Sequence, residues 1–145
     1  MGSRGRRVPA YAAALLALAA CARPAAPVVQ GPDPDHVFAY DLQVHLPLGD
    51  AKLGTPEDLA RFGAVEDELM PVMDSVGGIL DGNDIGAGEY TINLMADDVD
   101  AATAAVRAAL ADDDLPEGSA LIVYRWGPDG DQGDPLSTTP VGRGT

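Results

Sequence analysis

The fold is decided by residues 37–48, which read Val-Phe-Ala-Tyr-Asp-Leu-Gln-Val-His-Leu-Pro-Leu. Apolar and polar side chains alternate along this stretch. A period of two with one apolar side is typical of a β-strand that buries one face. We therefore expect the aromatic and aliphatic side chains to meet a core, and Asp41, Gln43 and His45 to face the other way.

A helix is predicted to follow this strand. Residues 55–58 read Thr-Pro-Glu-Asp, which combines a capping threonine, a proline in the first turn and acids beside the positive end of the helix dipole. Apolar residues then recur at helical spacing as far as Val76, and Gly77-Gly78 ends the helix. Pro71 lies inside this pattern and is expected to kink or loosen the last turn.

Four further elements complete the pattern. Residues 79–85 form a short strand in which Asp81-Gly82-Asn83 indicates a turn or a bulge, and residues 89–96 form a clearer strand. A small-residue amphipathic helix follows Asp97-Asp98, and residues 119–126 form the last strand.

The resulting order, β-α-β-β-α-β, predicts an α+β fold of the ferredoxin-like type. Right-handed crossovers place both helices on one face of a four-stranded antiparallel sheet, with strand order 4-1-3-2 by analogy. The side chains expected to meet the helices are Phe38, Tyr40, Leu42, Tyr90, Ile92 and Leu94. Those expected to line the other, open face are Asp41, Gln43, His45, Thr91, Asn93 and Arg125. Arg125 belongs there only if Ile122, Tyr124 and Trp126 point to the core.

The first twenty residues are a different kind of sequence. Arg4, Arg6 and Arg7 precede an apolar stretch over residues 10–20, a pattern typical of an export signal and too short to span a bilayer. The stretch ends in Leu18-Ala19-Ala20-Cys21, which resembles the lipobox of bacterial lipoproteins. The resemblance implies a diacylglyceryl group on the Cys21 sulfur, cleavage before Cys21 and acylation of the new amine. It implies a domain held outside the cytoplasm, at the cell envelope, by palmitate-type chains.

Other interpretations of this leader are an ordinary signal cleaved after Ala20, a core helix with a buried cysteine, and a twin-arginine signal, although Val8-Pro9 departs from that motif. Loss of residues 1–20, which hold three arginines and no acid, changes the net charge from −14 to −17: 6 basic against 23 acidic residues in a 125-residue chain.

The predicted organisation has four segments. A signal peptide over residues 1–20 precedes a tether rich in Pro and Ala over residues 21–35. The ferredoxin-like domain spans residues 36–127, and a tail rich in Gly, Pro and Asp over residues 128–145 is expected to be disordered.

Several short stretches resemble a group of small bacterial domains of uncharacterised activity, and the resemblance covers roughly residues 36–128. The stretches are Leu46-Pro47-Leu48-Gly49-Asp50, Gly54-Thr55-Pro56-Glu57-Asp58, Glu66-Asp67-Glu68-Leu69, Asp81-Gly82-Asn83 and Arg125-Trp126-Gly127-Pro128. The chain departs from the group's pattern at Pro71 and around residues 94–97. The resemblance implies the fold and supplies no function.

The residues give little support for catalysis or cofactors. The excess of acids argues against nucleic acid, and no metal or cofactor motif is complete: a calcium loop begun at Asp81 lacks ligands at its positions 5 and 12. We expect a non-enzymatic interaction module that meets a protein partner or a second copy through the open face. The alternative is a small-ligand-binding protein or hydrolase-type enzyme, with a site around Asp41, His45, Asn93 and Arg125.

Overall fold

The computed structural model describes residues 36–49 and 52–143. The elements are β1 (Tyr40–Pro47), α1 (Pro56–Ser75), β2 (Ile79–Gly86), β3 (Glu89–Ala96), α2 (Val99–Ala109), β4 (Ala120–Arg125) and β5 (Ser137–Pro140), with a 3-10 turn at Leu110–Asp112. They form an α+β fold, in which a five-stranded antiparallel sheet has the order β2-β3-β1-β4-β5. The order of the first four strands agrees with the predicted one.

The helix starts follow from local chemistry. The Thr55 side chain accepts a hydrogen bond from the Asp58 backbone N–H, and the Asp58 carboxylate accepts one from the Thr55 N–H, so both ends of a capping box are present. The backbone N–H and the hydroxyl of Thr55 both donate to the Asp58 carboxylate, which favours its ionised form and lowers the pKa of Asp58. Asp98 caps α2 through the Ala101 N–H. The first helix continues through Pro71 to Ser75.

The core lies between the helices and one face of the sheet. The strands contribute Leu42, Val44 and Leu46 from β1 and alternate residues of β3, all buried. Phe62 of α1 packs its ring against Tyr90, with 5.3 Å between the centroids. Of the residues predicted to face the helices, Leu42, Tyr90, Ile92 and Leu94 are buried in this core, Tyr40 is half-buried against it, and Phe38 is buried just ahead of β1.

The register of β4 is the reverse of the one on which the predicted placement of Arg125 on the open face depended. Leu121 and Val123 are the buried residues of this strand, opposite Val44 and Leu42, whereas Ile122 and Tyr124 are half-buried on the open face. The prediction was wrong because both sides of the strand are apolar, so alternation does not distinguish them.

The prediction of a four-stranded sheet followed by a disordered tail was also wrong. β5 lies inside the 128–145 segment, pairs with β4 from Val123 to Ala120, and leads into Val141, which is buried in the core. The predicted irregularity at Asp81-Gly82-Asn83 is confirmed: the β2–β3 register shifts between Leu80 and Gly82, and Gly82 has a φ of 122°.

Candidate functional site

A line of hydrogen-bonded polar side chains crosses the open face of the sheet. Asp41 Oδ2 accepts hydrogen bonds from Gln43 Nε2, at 2.9 Å, and from Gln132 Nε2. Gln43 Oε1 lies 3.2 Å from His45 Nε2, and His45 Nδ1 lies 2.9 Å from Glu89 Oε2. The period of two along β1 places its three members on one side. We call these five residues the polar line.

Neighbours in the polar line engage both ring nitrogens of His45. A carboxylate only accepts hydrogen bonds, so Asp41 orients the Gln43 amide with its NH₂ toward Asp41 and its oxygen toward His45. Glu89 presents a second acceptor to the other ring nitrogen. Both ring nitrogens of His45 therefore lie within hydrogen-bond distance of an acceptor, one on Gln43 and one on Glu89.

Asp41 is the most buried member of the polar line, with 4% of its surface exposed. Burial disfavours the charged carboxylate and raises the pKa of Asp41, and the bonds from Gln43 and Gln132 oppose this shift in part. The nearby Asp81 carboxylate adds to the rise. Within the described residues, Asp41 Oδ1 is buried without a hydrogen-bond partner, which is an unusual state for a carboxylate oxygen.

We expect Asp41→Asn to stabilise the protein at neutral pH. Because the folded state raises the pKa of Asp41, the stability contributed by the protonated form is present below the ordinary value of 3.8 and is lost as the pH rises through the raised pKa. The amide cannot ionise, so the variant should gain about 1 kcal/mol near pH 7. Its melting temperature should rise by about 4 °C or more, and thermal melts from pH 3 to pH 8 check this.

The matched control for this prediction is Asp67→Asn, which removes the same charge from an exposed position on α1. The control should follow the wild-type pH profile. A melting temperature for Asp41→Asn below that of the control at pH 7 would contradict the prediction, because the unpaired amide NH₂ at the position of Oδ1 would then cost more than removal of the buried charge gains.

The structure brings some of the predicted site residues together and separates one. Thr91 and Asn93 lie on β3 opposite His45 and Gln43, on the same open face, and Asn93 donates to Asp84 Oδ2 at 2.9 Å. Arg125 is placed elsewhere. It lies opposite Tyr40, with its guanidinium carbon 5.8 Å from the centroid of that ring, because the register of β4 is reversed. The predicted grouping of Arg125 with Asp41 and His45 is therefore corrected.

Two members of the polar line were not predicted. Glu89 is the first residue of β3 and lies two positions before Thr91, so the alternation along that strand could have placed Glu89 on the open face. Gln132 lies in the segment expected to be disordered. That segment folds back at residues 127–133, where Gln132 bridges to Trp126 and reaches Asp41.

A cavity of about 540 Å³ opens next to the polar line, at the end of the sheet where β1 begins and β4 ends. Its lining is His36, Val37, Phe38, Ile79, Asp81, Met95, Trp126, Gly127, Pro128 and Gly130. Gln43, His45 and Asn93 do not line it, so the cavity does not join the side chains predicted to form a catalytic site. We call it the Trp126 pocket.

No protein-family model, curated protein sequence or solved structure matches this chain. Within residues 36–49 and 52–143, no helix has both the length and the apolar character needed to cross a membrane. The same ranges contain no group of three or more His, Cys, Asp or Glu side chains placed to hold a metal ion. Cys21 lies outside the described residues, so its lipidation stays a prediction.

Proposed function

We propose that this protein is a bacterial lipoprotein. In this proposal the lipid on Cys21 holds a non-enzymatic interaction module outside the cytoplasm, on a tether over residues 21–35. The support is the arrangement of residues 1–21, in which the one cysteine of the chain closes a basic and apolar leader. Two or three acyl chains give the stable attachment that one chain does not.

The proposed domain is ferredoxin-like with one added strand. The element order up to β4, and the order β2-β3-β1-β4 in the sheet, support this assignment. The fifth strand extends the sheet at the β4 edge. This topology leaves one face of the sheet free of the two helices, and the proposed binding surface is that open face.

The engagement of both His45 ring nitrogens by neighbouring side chains is the observation that favours binding over catalysis. A general base needs a free lone pair within reach of a substrate proton. Both ring nitrogens of His45 are bonded to acceptors, and Gln43 separates the ring from Asp41. These side chains satisfy one another on a sheet surface, which suits a contact surface more than a reaction centre. The proposed partner is a protein, or a second copy of this chain.

The test is a pull-down with the lipidated protein from native membranes, alongside sedimentation of the purified protein. Thr91→Arg places a bulky charge on the open face, on β3 opposite His45, and Met70→Arg places the same side chain on the exposed surface of α1. We expect the partner or the dimer to be lost with Thr91→Arg and kept with Met70→Arg.

The reverse pattern in that experiment would place the binding surface on the helices and overturn the proposal for the open face. A wild-type protein that sediments as a monomer and recovers no partner would also contradict it.

A further inference from the structure

The Trp126 pocket is apolar on most of its wall and carries one unpaired acid. Ile79, Met95 and Trp126 supply side chains from three different strands or their ends, and Val37 stands 82% exposed at its rim. Asp81 also lines the pocket, at the bulge of β2. A concave, largely apolar site of a few hundred Å³ with few polar groups is typical of small-molecule binding sites.

The Asp81 carboxylate has no counterion in the part of the chain that the structure describes. It forms no hydrogen bond or ion pair there, and none of the residues lining the pocket is a lysine or an arginine. His36, the other ionisable residue of the lining, is engaged: its Nε2 lies 2.7 Å from Asp97 Oδ2 and its ring packs edge-on against Phe38. Asp81 is exposed to solvent, so the pocket carries one solvated negative charge without a basic partner in its lining.

A second carboxylate lies beside this pocket and is incompletely bonded. Asp41 is paired across the sheet with Met95, a pocket residue. The charge of the Asp81 carboxylate contributes to the raised pKa of Asp41. Its Oδ1 is the buried side-chain oxygen without a partner among the described residues. Two carboxylates near one apolar cavity favour a positive group at that place and disfavour a negative one.

Trp126 adds a surface suited to the same charge. The face of an indole ring attracts ammonium groups more strongly than other aromatic rings do. The whole chain has a net charge of −14, which raises the local concentration of cations and lowers that of anions.

We propose that the Trp126 pocket binds a small organic cation with an apolar body, whose ammonium group pairs with Asp81 and contacts Trp126 while the apolar part rests on Ile79 and Met95. This site lies outside the polar line and does not depend on the lipid, the tether or the protein partner proposed above. Its failure would leave those proposals standing, and their failure would leave this one.

Trp126 is also the reporter for the test, because it is the one tryptophan of the chain. The full chain carrying Cys21→Ser, which needs no detergent, is titrated with three probes that share a phenyl group: 2-phenylethylammonium, 2-phenylethanol and phenylacetate. We expect a saturable change in tryptophan emission with the ammonium probe. The neutral alcohol should bind about tenfold more weakly, as expected for loss of a cation–π contact and one ion pair. Phenylacetate should not bind.

The variants separate a local site from general attraction to an acidic protein. Asp81→Asn should weaken binding of the ammonium probe at least fivefold, whereas Asp67→Asn, which removes the same charge on the helix side of the sheet, should leave it within twofold. Calorimetry on Trp126→Leu, which has no tryptophan emission, should show the same weakening as Asp81→Asn or more. Equal affinity for the ammonium and the alcohol, equal effects of the two Asp→Asn variants, or no saturable binding of the ammonium probe would each overturn the proposal.

Discussion

Replacing Cys21 with serine is expected to move the whole protein from the membrane fraction to the soluble fraction. In the proposal the Cys21 sulfur is the atom to which the diacylglyceryl group is bonded. Serine lacks this sulfur, so the variant loses the diacylglyceryl group and every acyl chain whose addition depends on it. Charge is not expected to compensate. Whether residues 1–20 stay on the chain (9 basic and 23 acidic residues) or are removed (6 basic and 23 acidic residues), the protein is strongly acidic, and such a charge is repelled by anionic lipid surfaces. The effect should therefore be large.

Fractionation and intact mass measure this effect. The wild type should lack residues 1–20 and carry the mass of a diacylglyceryl group, whereas Cys21→Ser should carry no lipid. Ala19→Asp keeps the thiol but alters the lipobox, and it should behave like Cys21→Ser if the motif is recognised. Val28→Ser changes one residue of the tether and should stay in the membrane. A Cys21→Ser variant that remains fully in the membrane, with unchanged mobility on a gel, would overturn the anchor.

The alternative leaders predict different masses from the lipoprotein. An ordinary signal cleaved after Ala20 gives a wild-type protein that begins at Cys21 without lipid and is soluble once exported. A buried core cysteine leaves residues 1–20 on the chain. One mass measurement on the wild type therefore distinguishes the lipoprotein, the ordinary cleaved signal and the buried core cysteine before any variant is made.

Alternation and capping were sufficient to predict most of the sheet and both helix starts. Residues 89–96 form the predicted strand because one side is apolar and the other polar, and Thr55 caps α1 because its hydroxyl meets the Asp58 N–H. These signals are local, and they act within a few residues of one another. The grouping of Asp41, Gln43 and His45 follows from the same period of two.

The features that were missed depend on contacts distant in sequence. Gln132 reaches Asp41 across 91 positions, and β5 exists because its backbone pairs with β4. The sequence of β5, Ser-Thr-Thr-Pro, lacks the alternating apolar residues from which a strand is predicted. The placement of Arg125 on the open face was wrong for a related reason: either side of an apolar strand can be buried, and only packing selects Leu121 and Val123.

Gly78 is a further position whose role is set by packing. It is buried at the turn between α1 and β2, where its N–H donates to the Met73 carbonyl at 2.9 Å. A Cβ at this position would lie 2.6 Å from the backbone oxygen of Met95 and 2.5 Å from Cε of Met73. The methionine end has rotamer freedom, but the oxygen belongs to a strand held on both sides by its neighbours, β1 and β2.

We expect Gly78→Ala to destabilise the protein by about 2–3 kcal/mol, the cost of forcing an extra carbon into a packed interior, which lowers the melting temperature by about 10 °C. Gly63→Ala is the matched control. It makes the same substitution inside α1, where a new Cβ would have nothing within 4 Å. Because alanine loses less backbone entropy than glycine in a helix, the control should stabilise by about 0.5–1 kcal/mol.

Denaturant unfolding of the two variants beside the wild type measures both free energies. The opposite signs are the discriminating result, since one substitution relieves an entropic cost and the other creates a steric one. If Gly78→Ala were as stable as Gly63→Ala, the close approach of the α1–β2 turn to β3 would be wrong. The close approach of this turn to β3 places Ile79, the first residue of β2, opposite Met95. Ile79 and Met95 both line the Trp126 pocket. The stability of Gly78→Ala therefore also tests how that pocket is built.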